Sequence, residues 1–227
     1  MRIKYVVLAL ISFAFGHTKA QQTSVVDSNY IFSGYTEKME LFNKMPVLKG
    51  AVVFLGNSLT DAGRWNDIIP NQPVLNRGIS GDISFGVLAR LDEVLRHQPK
   101  KIFLMIGVND LKRGVPTAVI AKNYQRIAAR IHQQSPKTKL YLNSIMPINP
   151  NKLIESFKAV TNADIATLNV ALRAMAGENK WIHFVDLHEV VADKDGNLRA
   201  EITPDGIHLE VAAYVELVDY LKKVKAL

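Results

Sequence analysis

Short apolar runs, several rich in β-branched residues, alternate along this chain with longer stretches whose apolar residues recur every three or four positions. Residues 21–34 are polar, carry no clear period and read as a loose arm, and Met39 and Phe42 then share a face of a helix over Tyr35–Asn43. Ala51–Leu55 reads as the first buried strand. A short helix at Trp65–Ile69 is closed by the turn chemistry of Pro70–Pro73, and Val74–Asn76 reads as the second strand. From Ile83 to Arg96, Phe85, Leu88, Leu91 and Leu95 fall at helical spacing. A strand at Lys101–Ile106 precedes a helix that opens on Pro116 and runs to about Gln134. Lys139–Ser144 is the fourth strand, Ser156–Ala176 a helix stopped by Gly177, Trp181–Val185 the fifth strand and Leu209–Val224 a closing helix. Five strands alternating with helices predict a parallel sheet covered on both faces, in a single α/β domain. The 227 residues suffice for one such domain and hardly for two.

The first twenty residues depart from this pattern. Arg2 and Lys4 precede an apolar run from Tyr5 to Phe15, and Thr18-Lys19-Ala20 ends the segment with small residues at the cleavage-determining positions. This predicts a secretory leader and hence a secreted or periplasmic protein. The run is too short to span a bilayer comfortably, so no stable membrane insertion is expected once the leader is removed. The expected organisation is therefore a leader over residues 1–20, an arm and helix over 21–48, and the main domain over 49–227. The chain has no cysteine, which excludes disulfides and a cysteine-linked lipid anchor and leaves the core to hold the fold. Of the formal charge of +7, three positive residues lie in the leader, leaving 25 Lys and Arg against 21 Asp and Glu. The remaining basic residues are scattered, with no basic stripe interleaved with aromatics, so nucleic acid is not an expected partner.

The residues that follow each strand carry the candidate chemistry. Ser58 follows the first strand, Gly78 and Gly81 the second, Asn109 the third, and the segment beyond the fifth leads to Asp205-Gly206-Ile207-His208. In a parallel sheet these ends share one edge, where open α/β sheets bind ligands. Ser58 can supply a nucleophilic oxygen, and His208 can take its proton and later deliver it to the leaving group. Asp205, three residues earlier, can hold the imidazole in the required tautomer. The N–H groups of Ser58 and Gly81 and the side-chain amide of Asn109 would form an oxyanion hole. Each residue also has a plain structural reading: Ser58 as a helix cap, Asn109 as a turn former, Gly78 and Gly81 as openers of a helix.

Four blocks in register resemble the SGNH branch of the GDSL esterase/lipase superfamily. They are Gly56-Asn57-Ser58-Leu59, Gly78-Ile79-Ser80-Gly81-Asp82, Gly107-Val108-Asn109-Asp110 and Asp205-Gly206-Ile207-His208-Leu209. The resemblance implies Ser58 as nucleophile, Gly81 and Asn109 as oxyanion donors, His208 as base and Asp205 as its orienter. It also implies a flavodoxin-like three-layer fold with a five-stranded parallel sheet, and no metal or cofactor. The blocks are most similar to acetylhydrolase and carbohydrate-esterase members, which implies a small-molecule or carbohydrate ester as substrate and removal of a small acyl group, such as acetyl. Asn57 stands where the family has Asp, which keeps a carbonyl acceptor but loses a charge.

Competing readings remain at several positions. Asp186, after the fifth strand, is an alternative acid to Asp205, or else a cap for the segment that follows. His183 reads as a structural residue of strand five, and His97, His132 and His188 as surface residues. Trp65 reads as core or as a stacking wall for substrate. Asp193–Asn197 departs from a calcium loop in its glycine position and lacks the closing Glu, so it reads as a turn. A lysophospholipase or thioesterase, and a carbohydrate-binding protein without turnover, are the alternative functions.

Overall fold

The computed structural model describes residues 26–227; the predicted leader lies outside them. Five parallel strands form one sheet: β1 (Val52–Gly56), β2 (Val74–Gly78), β3 (Lys101–Met105), β4 (Lys139–Asn143) and β5 (Ile182–Val185), in the spatial order β2-β1-β3-β4-β5. This is the flavodoxin-like doubly wound order, and the chain reverses its winding direction beside β1, which places a crevice at the carboxyl end of that strand. The helices are α1 (Ser33–Lys44), α2 (Ser58–Asp61), α3 (Trp65–Ile68), α4 (Ser84–Ala89), α5 (Leu91–Leu95), α6 (Val108–Lys112), α7 (Thr117–Gln134), α8 (Asn162–Gly177), α9 (His188–Val191) and α10 (Val211–Lys223). Every residue of β1 is buried, as a central strand covered on both faces requires.

Strand register builds an aromatic row across one face. Phe54, Phe103, Tyr141 and His183 are paired across β1, β3, β4 and β5. Their rings stack at centroid distances of 5.0, 4.7 and 4.9 Å along the row. Trp65 extends the row over Phe54 at 3.9 Å, meets Tyr214 edge-on at 5.4 Å, and donates its Nε1–H to the Thr60 carbonyl at 2.8 Å. Trp65 is therefore core rather than a wall of the substrate cleft. Each such pair contributes about 0.5–1.5 kcal/mol beyond simple burial, and the row holds α3 against the strand that leads to Ser58.

Four expectations need correction. The helix expected over Ile83–Arg96 is two helices, broken at Arg90 (φ −101°, ψ 12°), whose guanidinium turns inward onto Asp82. The helix expected from Ser156 begins at Asn162. Thr161 caps it by accepting the Asp164 N–H at 3.1 Å, and buried Phe157 and Val160 precede it in a separate turn. His97 is not a surface residue: it is fully buried beside Glu93 and Arg77. Its Nδ1 accepts the Leu48 N–H at 3.0 Å, so the ring proton sits on Nε2, facing Glu93. Finally, the described part of the arm, residues 26–32, is not loose. Tyr30 and Phe32 pack with Tyr35, Phe42 and Ile79 in a second, smaller apolar cluster over the loop after β2.

Candidate active site

β1 ends at Gly56, and Asn57 caps α2 by accepting the Leu59 N–H on its side-chain oxygen at 3.1 Å. With Asn57 as the cap, Ser58 is the first helical residue and its hydroxyl is free for other work. Its backbone N–H, in the first turn, has no intrahelical partner. Ser58 Oγ lies 3.0 Å from His208 Nε2. His208 Nδ1 lies 2.6 Å from Asp205 Oδ2, and the other oxygen of that carboxylate accepts the N–H groups of Ile207 and His208 at 3.0 and 2.8 Å. Burial alone would raise the Asp205 pKa, but the hydrogen bonds from the ring and backbone of His208 and from Ile207 hold it below its ordinary value. The carboxylate therefore keeps a proton on Nδ1 and turns the Nε2 lone pair toward the Ser58 hydroxyl.

The Asp205–His208 segment is anchored by its neighbours. Gly206 adopts φ +83°, and a Cβ there would stand 2.7 Å from the Asn149 carbonyl oxygen, so both its conformation and the space around it require glycine. Asn149 donates its N–H to the Gly206 carbonyl at 2.9 Å, and Ile154 donates to the Asp205 carbonyl at 3.1 Å. The loop after β4 thus holds the His208 loop in place. Asp186 stands apart from this group. It pairs with Arg173 and accepts the His188 N–H at 3.2 Å, which is the capping role.

The loops after β2 and β3 are locked to one another. Gly81 takes φ +86°, in the left-handed region. Asn109, buried, donates one side-chain hydrogen to the Asp82 carbonyl at 2.9 Å, and its amide carries a second hydrogen that this bond does not use. The Asp82 carboxylate pairs with Arg90 at 2.9 Å with both side chains fully buried, and Arg90 also donates to the Gly56 carbonyl at 3.1 Å. Asp110 accepts the Ser84 N–H at 3.0 Å, and Asn123 donates to the Ser84 hydroxyl at 2.8 Å. Burial pushes the carboxyls of both Asp82 and Asp110 up to about 6; Arg90 opposes the shift at Asp82, and the Ser84 hydrogen bonds oppose it at Asp110. Arg90 and Ser84 had no readable signal in the sequence, because each acts through a partner on another element. Among the described residues no group of three or more His, Cys, Asp or Glu is placed to hold a metal ion, and no helix is long and apolar enough to cross a membrane.

The site brings together, at the carboxyl edge of a parallel sheet, a serine, a histidine and an aspartate in one hydrogen-bonded chain. Comparison with known proteins agrees in kind. Residues 54–215 match the model of the GDSL-like lipase/acylhydrolase family. The chain is 25% identical over 171 residues to the platelet-activating factor acetylhydrolase IB subunit alpha1 of Bos taurus, covering 72% of this chain and 69% of that protein. It is 28% identical over 172 residues to esterase TesA of Pseudomonas aeruginosa, covering 75% of each. The crystal structure of a GDSL-like lipase from Bacteroides thetaiotaomicron superposes with a TM-score of 0.72 at 24% identity, over 85% of this chain and 98% of that one, and shares the fold. The chain belongs to the GDSL-like lipase/acylhydrolase family and is a carboxylic ester hydrolase.

Proposed function

We propose that this esterase removes small acyl groups through a covalent intermediate on Ser58, and that its substrate is an acetylated carbohydrate met after export. The hydrogen-bonded chain from Ser58 through His208 to Asp205 carries this reading. His208 Nε2 takes the Ser58 proton as Oγ bonds to the ester carbonyl carbon, and the carbonyl π pair moves onto oxygen. That oxyanion is held by the N–H groups of Ser58 and Gly81 and the amide of Asn109, which cost no reorganisation because their loops are already fixed. The oxyanion pair returns, the C–O bond to the alcohol breaks, and His208 delivers its proton to the departing oxygen. Water, deprotonated by His208, then cleaves the acyl-enzyme by the same steps and restores the serine.

The acetyl preference is supported by the acetylhydrolase relative. The carbohydrate alcohol is supported by the resemblance of the four blocks to carbohydrate-esterase members, and export by the leader pattern of residues 1–20. Hydrolysis of p-nitrophenyl esters of increasing chain length, with Ser58→Ala as control, tests the acyl part. High activity on acetate that falls steeply by octanoate is the expected result, with acetylated xylo-oligosaccharides as the next substrates. Activity that rises with chain length would favour a lysophospholipase or thioesterase. No Ser58-dependent cleavage of any ester would leave a carbohydrate-binding protein.

A further inference from the structure

Two of the candidate oxyanion donors, the N–H groups of Ser58 and Gly81, come from different segments and must converge on one oxygen at about 2.7–3.1 Å. Backbone pairing between the two segments ends short of both, with the Ile79 N–H on the Gly56 carbonyl at 3.1 Å. Beyond it the chain makes a tight turn, Ile79–Asp82, closed by the Asp82 N–H on the Ile79 carbonyl at 3.0 Å. Gly81 sits third in this turn at φ +86° and Ser80 has no positive φ, so the turn is type II. Its central peptide joins Ser80 to Gly81 and carries the Gly81 N–H. Arg90 holds the Asp82 end of the turn through the carboxylate, and Asn109 holds it through the carbonyl. The Ser80 end is held from the helix that bears the nucleophile. Ser80 Oγ donates to Asp61 Oδ2 at 3.0 Å, and Lys38 Nζ, on α1, donates to Asp61 Oδ1 at 2.6 Å.

Asp61 closes the single turn of α2 that Ser58 opens. Its N–H donates to the Asn57 carbonyl at 2.8 Å and its carbonyl accepts the Asn76 amide at 2.9 Å, so the backbone beneath the carboxylate is fixed both to the cap of α2 and to β2. Ser80, by contrast, is exposed and borders an open cavity of about 310 Å³ that Lys38 and Asp61 also line. Packing therefore does not fix the Ser80 side chain; its charge-assisted bond to Asp61 does. We infer that Asp61 is a positioning residue for the oxyanion hole, tying the turn that carries the Gly81 N–H to the helical turn that carries the Ser58 N–H. Lys38 takes one carboxylate oxygen and leaves the other facing Ser80. Through it, α1, which precedes the stretch of residues 54–215 that matches the family, becomes part of the support of the site.

This inference rests on the proposed acyl-enzyme reading, and kinetics on p-nitrophenyl acetate with urea unfolding of the same preparations test it. Asp61→Ala is expected to lower kcat by roughly tenfold or more, part of the 10²-fold that a displacement near 1 Å costs, while KM stays within about twofold. Ser80→Ala is expected to reproduce that loss. The double variant is expected to fall no lower than either single one, because the two side chains make one contact. Asp61→Asn, whose amide can still bond the Ser80 hydroxyl, is expected to recover most of the loss. A merely structural pair would shift the unfolding midpoint and leave kcat of the folded Asp61→Ala protein within about threefold of the parent, which overturns the assignment. Additive losses in the double variant, or an Asp61→Asn protein no better than Asp61→Ala, overturn it equally. Absence of Ser58-dependent cleavage in the unaltered protein overturns the acyl-enzyme reading itself.

Discussion

Gly78 ends β2 hard against the helix that carries Ser58, and substituting it with alanine turns that close approach into a measurable displacement. A Cβ there would lie 2.1 Å from the backbone nitrogen of Asp61, 2.4 Å from its Cα and 2.7 Å from the carbonyl carbon of Thr60. Ordinary contact is about 3.5 Å, so α2 and β2 must part by roughly 1.4 Å. None of the three atoms belongs to a flexible side chain, and Thr60 and Asp61 lie in the same single turn as Ser58, so the shift moves the nucleophile relative to His208. Overpacking of this kind costs about 1–3 kcal/mol of stability. A misplacement near 1 Å lowers turnover by about 10²-fold. The assay is kcat on p-nitrophenyl acetate together with urea unfolding of the same preparations. Gly177→Ala is the control, because a Cβ at the end of α8 meets nothing within 4 Å. It is expected to leave turnover unchanged and to raise stability by up to about 1 kcal/mol. A folded Gly78→Ala protein whose kcat stays within about threefold of the parent would refute the idea that this contact sets the position of Ser58.

Three further outcomes follow from the same geometry. Asn109→Ala is expected to lower kcat by about 10²–10³-fold with little change in KM, as loss of one oxyanion donor does; a loss below about tenfold on p-nitrophenyl acetate would remove Asn109 from that role. Asp205→Asn is expected to reduce kcat by up to about 10⁴-fold while Asp186→Asn leaves it near the parent value, and equal effects of the two on the same ester would contradict the triad as drawn. Asp110, held near 6 against an ordinary value of 3.8, binds its proton more tightly in the native state, so its contribution to stability is full below about pH 4 and is lost as the pH rises through about 6. Urea unfolding between about pH 4.5 and 7.5 should show a decline from this group on the order of 2 kcal/mol, read as the difference between the parent and Asp110→Asn, because Asp82, raised by the same burial, and His97, whose lowered pKa acts in the opposite direction, titrate in the same window in both proteins.

The sheet was legible because a buried parallel strand is a run of apolar residues, and β1, β3 and β4 each read that way. The grouping of Ser58, Asp205 and His208 was legible for a related reason: strand ends in a parallel sheet share an edge, so residue types distant in sequence could be placed together. What escaped was set by tertiary partners. The burial of His97 depends on Arg77, which comes from β2, and the break at Arg90 depends on Asp82 and the Gly56 carbonyl. Periodicity carries no sign of such partners. The turn around Phe157 and Val160 continues an apolar spacing that a helix would also show, and only the Thr161 cap marks the true start. Residues 26–32 have no periodic pattern because their order comes from single aromatic contacts with another loop rather than from one repeated face.

The nucleophile itself can be identified chemically by treating the full-length protein with a fluorophosphonate, digesting it and locating the adduct by mass spectrometry. One stoichiometric adduct on Ser58, absent from Ser58→Ala and strongly slowed in His208→Ala, is the expected result. Labelling of a different serine, or equal labelling of the parent and Ser58→Ala proteins, would contradict the assignment of Ser58 as the atom that attacks the ester.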